Sequence, residues 1–359
     1  MPLTATTHSA VTLPAEWAPQ SGVMLTWPHL NTDWRENLDQ VEAVFIAITK
    51  QIAHRQLLII SANNEKHRRH ILAQLTKSAV NIENIKLYLV DSNDSWARDH
   101  GPITLLEAGR PILLDFTFNA WGDKFTADLD NQITAHLHTA GAFGNTPLKR
   151  VEMVLEGGAI ESDGCGTLLT TSRCLLSSTR NPEMSKARIE QQLCKILGLS
   201  RVLWLDDGYL AGDDTDSHID TLARFCDEKT ITYVSCDDTN DEHYPALKRM
   251  QQQLQSMRTL KGEPYRLIPL PWPQIKYNKK GDKLPASYAN FLVINGAVLV
   301  PTYHDPQDNC ALKRLQQGFP DREIIGIPSL PLIQQFGSLH CVTMQLPEGV
   351  LPDSNIAQE

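Results

Sequence analysis

The sequence predicts an α/β fold assembled from ββαβ modules. Three observations carry that expectation: an order of hairpin, helix and strand that recurs along the chain, a solitary strand near the C-terminal end, and a strand, helix and strand near the N-terminal end that lack a hairpin partner.

The first copy has alternating apolar residues over 101–118, turning over at Ala108-Gly109-Arg110, then a helical stretch at 126–139 and a strand at 151–155. The second has a hairpin at 159–176 that turns at Asp163-Gly164, a helix at 183–197 that starts after Asn181-Pro182, and a strand at 202–205. The third runs through a hairpin at 219–235, a helix at 244–257 and a strand at 265–270. The fourth has a hairpin at 290–303 turning at Asn295-Gly296, a helix at 308–317 and a strand at 324–327. The copies share no sequence identity, and a spacing of roughly 50–70 residues is long for a repeat unit.

The chain then ends on one strand, 341–346, whose edge is unpaired, while the N-terminal end offers a strand at 23–27, a helix at 36–54 and a strand at 57–60. Pairing the two ends completes a fifth module and closes a ring; an open sheet is the alternative that the pattern leaves standing. The Pro/Gly/Ser-rich stretches at 4–14 and 277–287 are short and separate no unlike halves, so residues 1–359 are expected to form a single catalytic domain.

Composition narrows the function. The 42 acidic side chains outnumber 33 basic ones for a formal charge of −9, which argues against nucleic acid as a partner. No apolar run approaches the roughly 18–20 residues of a membrane span, and the first residues show neither the basic nor the apolar region of a leader, so no membrane partner and a cytoplasmic location are expected. The seven cysteines form no CxxC pair and are expected as free thiols rather than a disulfide framework or a structural zinc site. A homo-oligomer is left open.

Four segments look unlike the rest: Trp96-Ala97-Arg98-Asp99-His100-Gly101-Pro102, Glu156-Gly157-Gly158, residues 212–220 with their run of aspartates, and Gly337-Ser338-Leu339-His340-Cys341. Each stands just ahead of a hairpin or of the closing strand. In a ring, equivalent positions meet at the axis, so Asp99, Glu156, His218 with Asp220, and Cys341 would converge. A thiol with a free pKa near 8.5 needs a base or a positive neighbour to ionise, yet this set is rich in carboxylates and poor in cations. The implied partner is therefore a small cationic substrate. A guanidinium suits paired carboxylates best, because it is planar and gives two parallel hydrogen bonds to each. Asp99 and Asp220 would clamp its sides while Cys341 attacks the central carbon.

Plainer readings compete at each position. A lone cysteine near the end of a chain is commonly a small buried hydrophobe. His67 and His70 lie in a Lys-His-Arg-Arg-His run that reads as a solvated helix face, Glu156-Gly157-Gly158 reads equally as a bulge, and Arg98 as an ion-pair partner for nearby acids. A calcium loop counted from Asp214 fails, since Ile219 stands where glycine is required and Phe225 where the bidentate glutamate belongs. His218 and Asp220 with Asp213, Asp214 or Asp216, His136 with His138, and His67 with His70 show no recognised ligand spacing, so no metal is expected.

At these residues the sequence resembles the agmatine deiminase family, whose wider relatives include bacterial peptidylarginine deiminases, arginine deiminases and amidinotransferases. The likeness spans nearly the whole chain. It rests on Pro14-Ala15-Glu16-Trp17-Ala18-Pro19-Gln20-Ser21-Gly22 leading to Thr26-Trp27-Pro28, on 96–102, on Phe118-Asn119-Ala120-Trp121-Gly122, on Glu156-Gly157-Gly158 with 166–171, on 212–220 and on Leu339-His340-Cys341. The resemblance implies the fivefold pseudosymmetric α/β propeller, the pentein fold, and hydrolysis of agmatine to N-carbamoylputrescine and ammonia, a step toward putrescine, without cofactor. Position by position it makes Cys341 the nucleophile, His218 the general acid and base, Asp99 and Asp220 the guanidinium clamp, and Glu156 a carboxylate that binds substrate and supports the histidine. Trp96 and Asp214 match positions lining the substrate pocket.

Three stretches depart from the family pattern: Phe336-Gly337-Ser338 where a glycine run is expected, Asp216-Ser217 where glycine commonly follows, and Thr171-Ser172-Arg173-Cys174, which lacks an acidic pair. The rival activities are deimination of peptidyl arginine or of free arginine, and the rival class is a noncatalytic propeller used as a binding module.

Overall fold

The computed structural model describes residues 11–352. Most of the stretch 4–14 and the first residues read for a leader lie outside them. Among the described residues five sheets of three or four strands repeat one pattern, an antiparallel pair followed by a parallel neighbour. Ile103–Glu107 and Arg110–Thr117 pair antiparallel and Leu148–Val154 joins the second strand in parallel. Ile160–Ser162, Thr167–Thr171 and Arg201–Leu205 do the same, as do Ala223–Asp227, Thr230–Val234 and Arg266–Leu270. Leu292–Ile294, Ala297–Thr302 and Glu323–Pro328 form the fourth sheet.

The fifth sheet joins the chain ends: Met344–Pro347 lies antiparallel to Gln20–Thr26 with Met344 opposite Met24, and Leu57–Ala62 follows in parallel. The edge left open by a lone last strand is thereby covered. In each sheet the crossover to the parallel strand carries a helix: Ile133–Thr139, Lys186–Leu197, Tyr244–Ser256, Asp308–Gly318 and Leu38–Ala53. Their apolar residues recur at helical spacing. In Leu38–Ala53 the buried face is Val41, Val44, Phe45, Ile48 and Ile52, packed with Leu58, Ile60 and Trp27 in one core cluster; each such side chain contributes about 1.5–3 kcal/mol.

Several boundaries differ from expectation. The last strand begins at Met344, so Cys341 sits in the turn before it, fixed by Arg98 N–H donating to Cys341 O at 3.1 Å. The first module's helix is shorter than 126–139, starting at Ile133 after a 3-10 turn Asp130–Gln132, and the Asp130 carboxylate accepts from the backbone N–H of Asn93 at 2.7 Å. The stretch 277–287 contributes to a small hairpin, Lys276–Tyr277 with Lys283–Leu284. The Lys-His-Arg-Arg-His run falls in the helix Glu65–Lys77 with Lys66, Arg69 and His70 exposed, as a solvated face; His70 Nε2 also lies 2.9 Å from Glu42 Oε1, and His67 Nδ1 accepts from Asn63 N–H at 3.2 Å. Among the described residues no helix is long and apolar enough to cross a membrane, and all seven cysteines are free.

Candidate active site

Every one of the five sheets delivers a residue from the turn ahead of its first strand. Asp99 lies in the single helical turn Ala97–His100, Glu156 precedes the 3-10 turn Gly157–Ala159, and His218 and Asp220 flank the start of Ile219–Thr221. Asn290 precedes Leu292–Ile294, and Cys341 precedes Met344–Pro347. Sequence reasoning missed Asn290, although its place at the start of the fourth hairpin was the available signal.

Gly158 marks the meeting point. A Cβ there would stand 2.5 Å from His218 Nδ1, 2.8 Å from Asp99 Oδ1 and 3.2 Å from Asp220 Oδ2. At Gly157 it would stand 2.2 Å from the carbonyl oxygen of Arg98. These glycines therefore serve close approach between modules rather than a simple bulge.

Cys341 is buried, with Asn290 Nδ2 at 3.3 Å and Asn290 Oδ1 at 3.4 Å from its sulfur and Asp220 Oδ2 at 3.8 Å. Burial, then the charges of Asp220 and Asp99, hold the thiol well above its ordinary pKa. Asp220 behaves oppositely: burial raises its pKa, but His340, His218 and Arg224 outweigh that and keep the carboxyl below its usual range. Its Oδ2 lies 2.8 Å from His340 Nδ1, while its Oδ1 has no partner. Asp99 accepts from Gly158 N–H at 2.9 Å and from Trp121 Nε1–H at 3.0 Å. Burial pushes it up to about 6, against the pull of His218.

His218 Nδ1 lies 3.7 Å from Asp99 Oδ1. Burial alone would lower its pKa, but Asp99, Cys174 and Glu156 raise it to about 10. Its neighbours thus favour the imidazolium rather than a group poised near neutrality, which a double acid and base role would suit. Glu156 is held by a cation of its own. Both its oxygens accept from Arg180 Nε, at 2.8 and 3.0 Å, and it does not line the cavity; it stands behind His218. Arg180 also reaches Asp216 Oδ2 at 2.7 Å and the Thr215 carbonyl at 2.9 Å. Glu156, Cys174 and His218 bring three donor atoms within 4.8 Å of one another. The Arg180 cation on Glu156 opposes a metal there.

The cavity above Cys341 has a volume of about 710 Å³. Trp96, Asp99, Asp214 and Cys341 line it; the fully buried Asp220 and His218 adjoin its floor, Asp220 beside Cys341 and His218 beside Asp99, and Glu156 does not line it. Asp33, Asp91, Asp94 and Asp130 line it too, and among its described lining residues there is no lysine or arginine. Arg98 and Arg224 are engaged elsewhere: Arg98 Nη1 bonds Glu16 at 3.1 Å, and Arg224 pairs with Glu16 and with Glu161 at 2.6 Å. In the 212–220 loop, Asp213 accepts from Thr215 Oγ1 and Ser217 N–H, both at 2.6 Å, and Asp216 holds Arg180 and Lys124, which leaves Asp214 facing the cavity. Two of the departures from the family pattern fall where backbone is left-handed: Ser217 has φ +66° and Phe336 φ +63°, conformations that glycine adopts without strain.

A buried thiol beside Asp220 and Asn290, beneath an aspartate-lined cavity, defines an α/β protein with an acidic pocket over a cysteine. The pattern of the Porphyromonas-type peptidyl-arginine deiminase family matches residues 12–347. The chain belongs to that family. It is 31% identical to an agmatine deiminase of Ectopseudomonas mendocina, over 93% of this chain and 95% of that one. Its fold matches a solved chain from Porphyromonas gingivalis, provisionally named arginine deiminase, at 50% identity and a TM-score of 0.89, covering 95% of this chain and all of that one. It also matches a cysteine-to-serine variant of C. jejuni agmatine deiminase solved with substrate bound, at 37% identity and a TM-score of 0.87, covering 94% and 97% of the two chains.

Proposed function

We propose that the chain is an agmatine deiminase, hydrolysing agmatine to N-carbamoylputrescine and ammonia through a covalent amidino-thioether on Cys341. The observation that carries this reading is the cavity itself: its floor offers a thiol, Asp99 and the unpartnered Oδ1 of Asp220 behind, and its walls are acidic with no described lysine or arginine. Agmatine brings a guanidinium for the floor and an amine for the walls. Free arginine would bring a carboxylate with no cation to meet it.

In the proposed mechanism Asp99 and Asp220 hold the guanidinium nitrogens, and the arriving cation offsets the charges that keep Cys341 protonated, so that the thiol releases its proton to solvent. The thiolate adds to the guanidinium carbon. His218, protonated beside Asp99, gives its proton to the departing ammonia as the C–N bond breaks, leaving the amidino-thioether. The neutral imidazole then takes a proton from water as it attacks, and collapse of the adduct breaks the C–S bond and returns the thiolate, the proton left on the new carbamoyl oxygen passing through solvent to ammonia, which leaves as ammonium. Asn290 Nδ2–H stands where it can donate to that thiolate. The charges of Glu156 and Cys174 near His218 favour its cationic form, and Trp96 and Asp214 line the path of the substrate.

The scaffold we propose is a single domain with the five modules closed as a fivefold ring; the pairing of Met344–Pro347 with Gln20–Thr26 supports it. Ammonia release measured in parallel on agmatine, arginine and a blocked arginine peptide tests the substrate. Agmatine should be preferred, and the rate should survive a chelator; preference for either arginine form would overturn the reading, and chelator-sensitive turnover would overturn its mechanism.

A further inference from the structure

Leu339-His340-Cys341 and Pro14-Ala15-Glu16-Trp17 are motifs in which the mechanism gives no role to His340 or Glu16. The two residues lie far apart in sequence and meet in one buried chain of contacts. His340 is fully buried, with Nδ1 2.8 Å from Asp220 Oδ2 and Nε2 2.8 Å from Glu16 Oε1. Glu16 is in turn held by Arg98 and Arg224, and Arg224 by Glu161. The backbone of His340 is fixed independently, since its N–H donates to Asn290 Oδ1 at 2.9 Å. Carboxylate oxygens accept and do not donate unless protonated, so a proton stands in each of the two ring contacts whichever group carries it.

We propose that His340 is a positioning residue for the substrate clamp: anchored on Glu16, it occupies Oδ2 of Asp220 and leaves Oδ1 as the acceptor presented to a cationic group. The unpartnered, buried Oδ1 of Asp220 is the independent sign that the carboxylate is held for something outside the network. Without the His340 contact on Oδ2, Asp220 is free to rotate toward Cys341, 3.8 Å from its Oδ2, or to offer the cation a different geometry. The inference rests on the reading of the floor as a guanidinium site.

The ring can be replaced one contact at a time. His340→Asn keeps an N–H at the position of Nδ1, against Asp220, and loses the reach to Glu16; His340→Gln keeps the reach to Glu16 and loses the contact with Asp220. Alkylation of Cys341 by cationic 2-chloroacetamidine and by neutral 2-chloroacetamide, taken as a ratio, reads the clamp without requiring a substrate. The ratio should fall at least about 10-fold in His340→Gln and stay within about 3-fold of wild type in His340→Asn, the span expected for one hydrogen bond to a charged group. Agmatine kcat/KM should follow the same order. Equal losses in both variants, or the larger loss in His340→Asn, would reduce His340 to a core histidine. Should either variant fail to fold, a wild-type crystal soaked in guanidinium decides: the ligand on Asp220 Oδ1 with Oδ2 still on His340 supports the proposal, and a ligand on Oδ2 overturns it. A wild-type enzyme that ignores agmatine while showing the alkylation ratio would sink the proposed function and spare this inference.

Discussion

At the floor of the cavity Asp99, His218, Asp220 and Cys341 are each at most 4% exposed, and every carboxylate oxygen but one has a fixed partner. At the rim, the Lys124 and Asp216 side chains are 35% and 25% exposed, and the loop they join carries left-handed backbone at Ala120, Trp121 and Asp123. Lys124 crosses the rim, donating to the Asp214 carbonyl at 2.5 Å and to Asp216 at 3.1 Å. Charges at the floor act in low dielectric and shift one another's ionisation; charges at the rim are screened by water. The same residue types thus serve reaction below and recognition above. Arg180 spans the two, with Glu156 on one side and Asp216 on the other.

Substitutions can break that contrast in graded steps. Cys341→Ala should reduce ammonia release to background while shifting unfolding by only roughly 1 kcal/mol, as read by denaturant titration, since little volume is lost. Arg180→Ala removes the counter-charge of a fully buried Glu156 and unties the rim in the same stroke. It should cost about 3–5 kcal/mol of stability, and activity should fall even at temperatures where the variant is folded.

Trp121→Phe keeps the ring packing against Trp96 and Phe118 and removes one hydrogen bond from Asp99. That bond favours the ionised carboxylate, so its loss should raise Asp99 further above about 6, and activity on acidification should fail at a higher pH than in wild type. The rate at neutral pH should drop roughly 10-fold. Lys124→Ala should do least: a partly exposed bridge contributes about 1 kcal/mol or less, and KM for agmatine should stay within about 3-fold. A large kcat loss there would erase the distinction between floor and rim.

Legibility in the sequence follows the same division. The modules were readable because hairpin turns such as Asp163-Gly164 and Asn295-Gly296 punctuate period-2 strands, and because apolar spacing marks the crossover helices. Their ends were less so, since Asp130 and Ser185 set helix starts through contacts that periodicity does not encode. At the floor, Asp99, His218, Asp220 and Cys341 stood out as reactive types at equivalent positions ahead of strands. The residues that hold them did not. Arg180 was hidden beside a helix-start signal, Asn181-Pro182, and Trp121 inside an aromatic run. Glu16, Cys174, Asn290 and Arg224 meet their partners only across modules, as with Arg224 and Glu16, 208 positions apart. The acid and base role of His218 would suit a pKa near neutrality; three anionic or thiol neighbours raise it instead.

Acid quenching of the wild-type enzyme during turnover with agmatine, followed by peptide mass mapping, tests the central claim most directly. The peptide containing Cys341 should carry an added mass equal to agmatine less ammonia. An unmodified Cys341 peptide during turnover, or the same adduct on Cys174, the buried thiol beside His218, would contradict it.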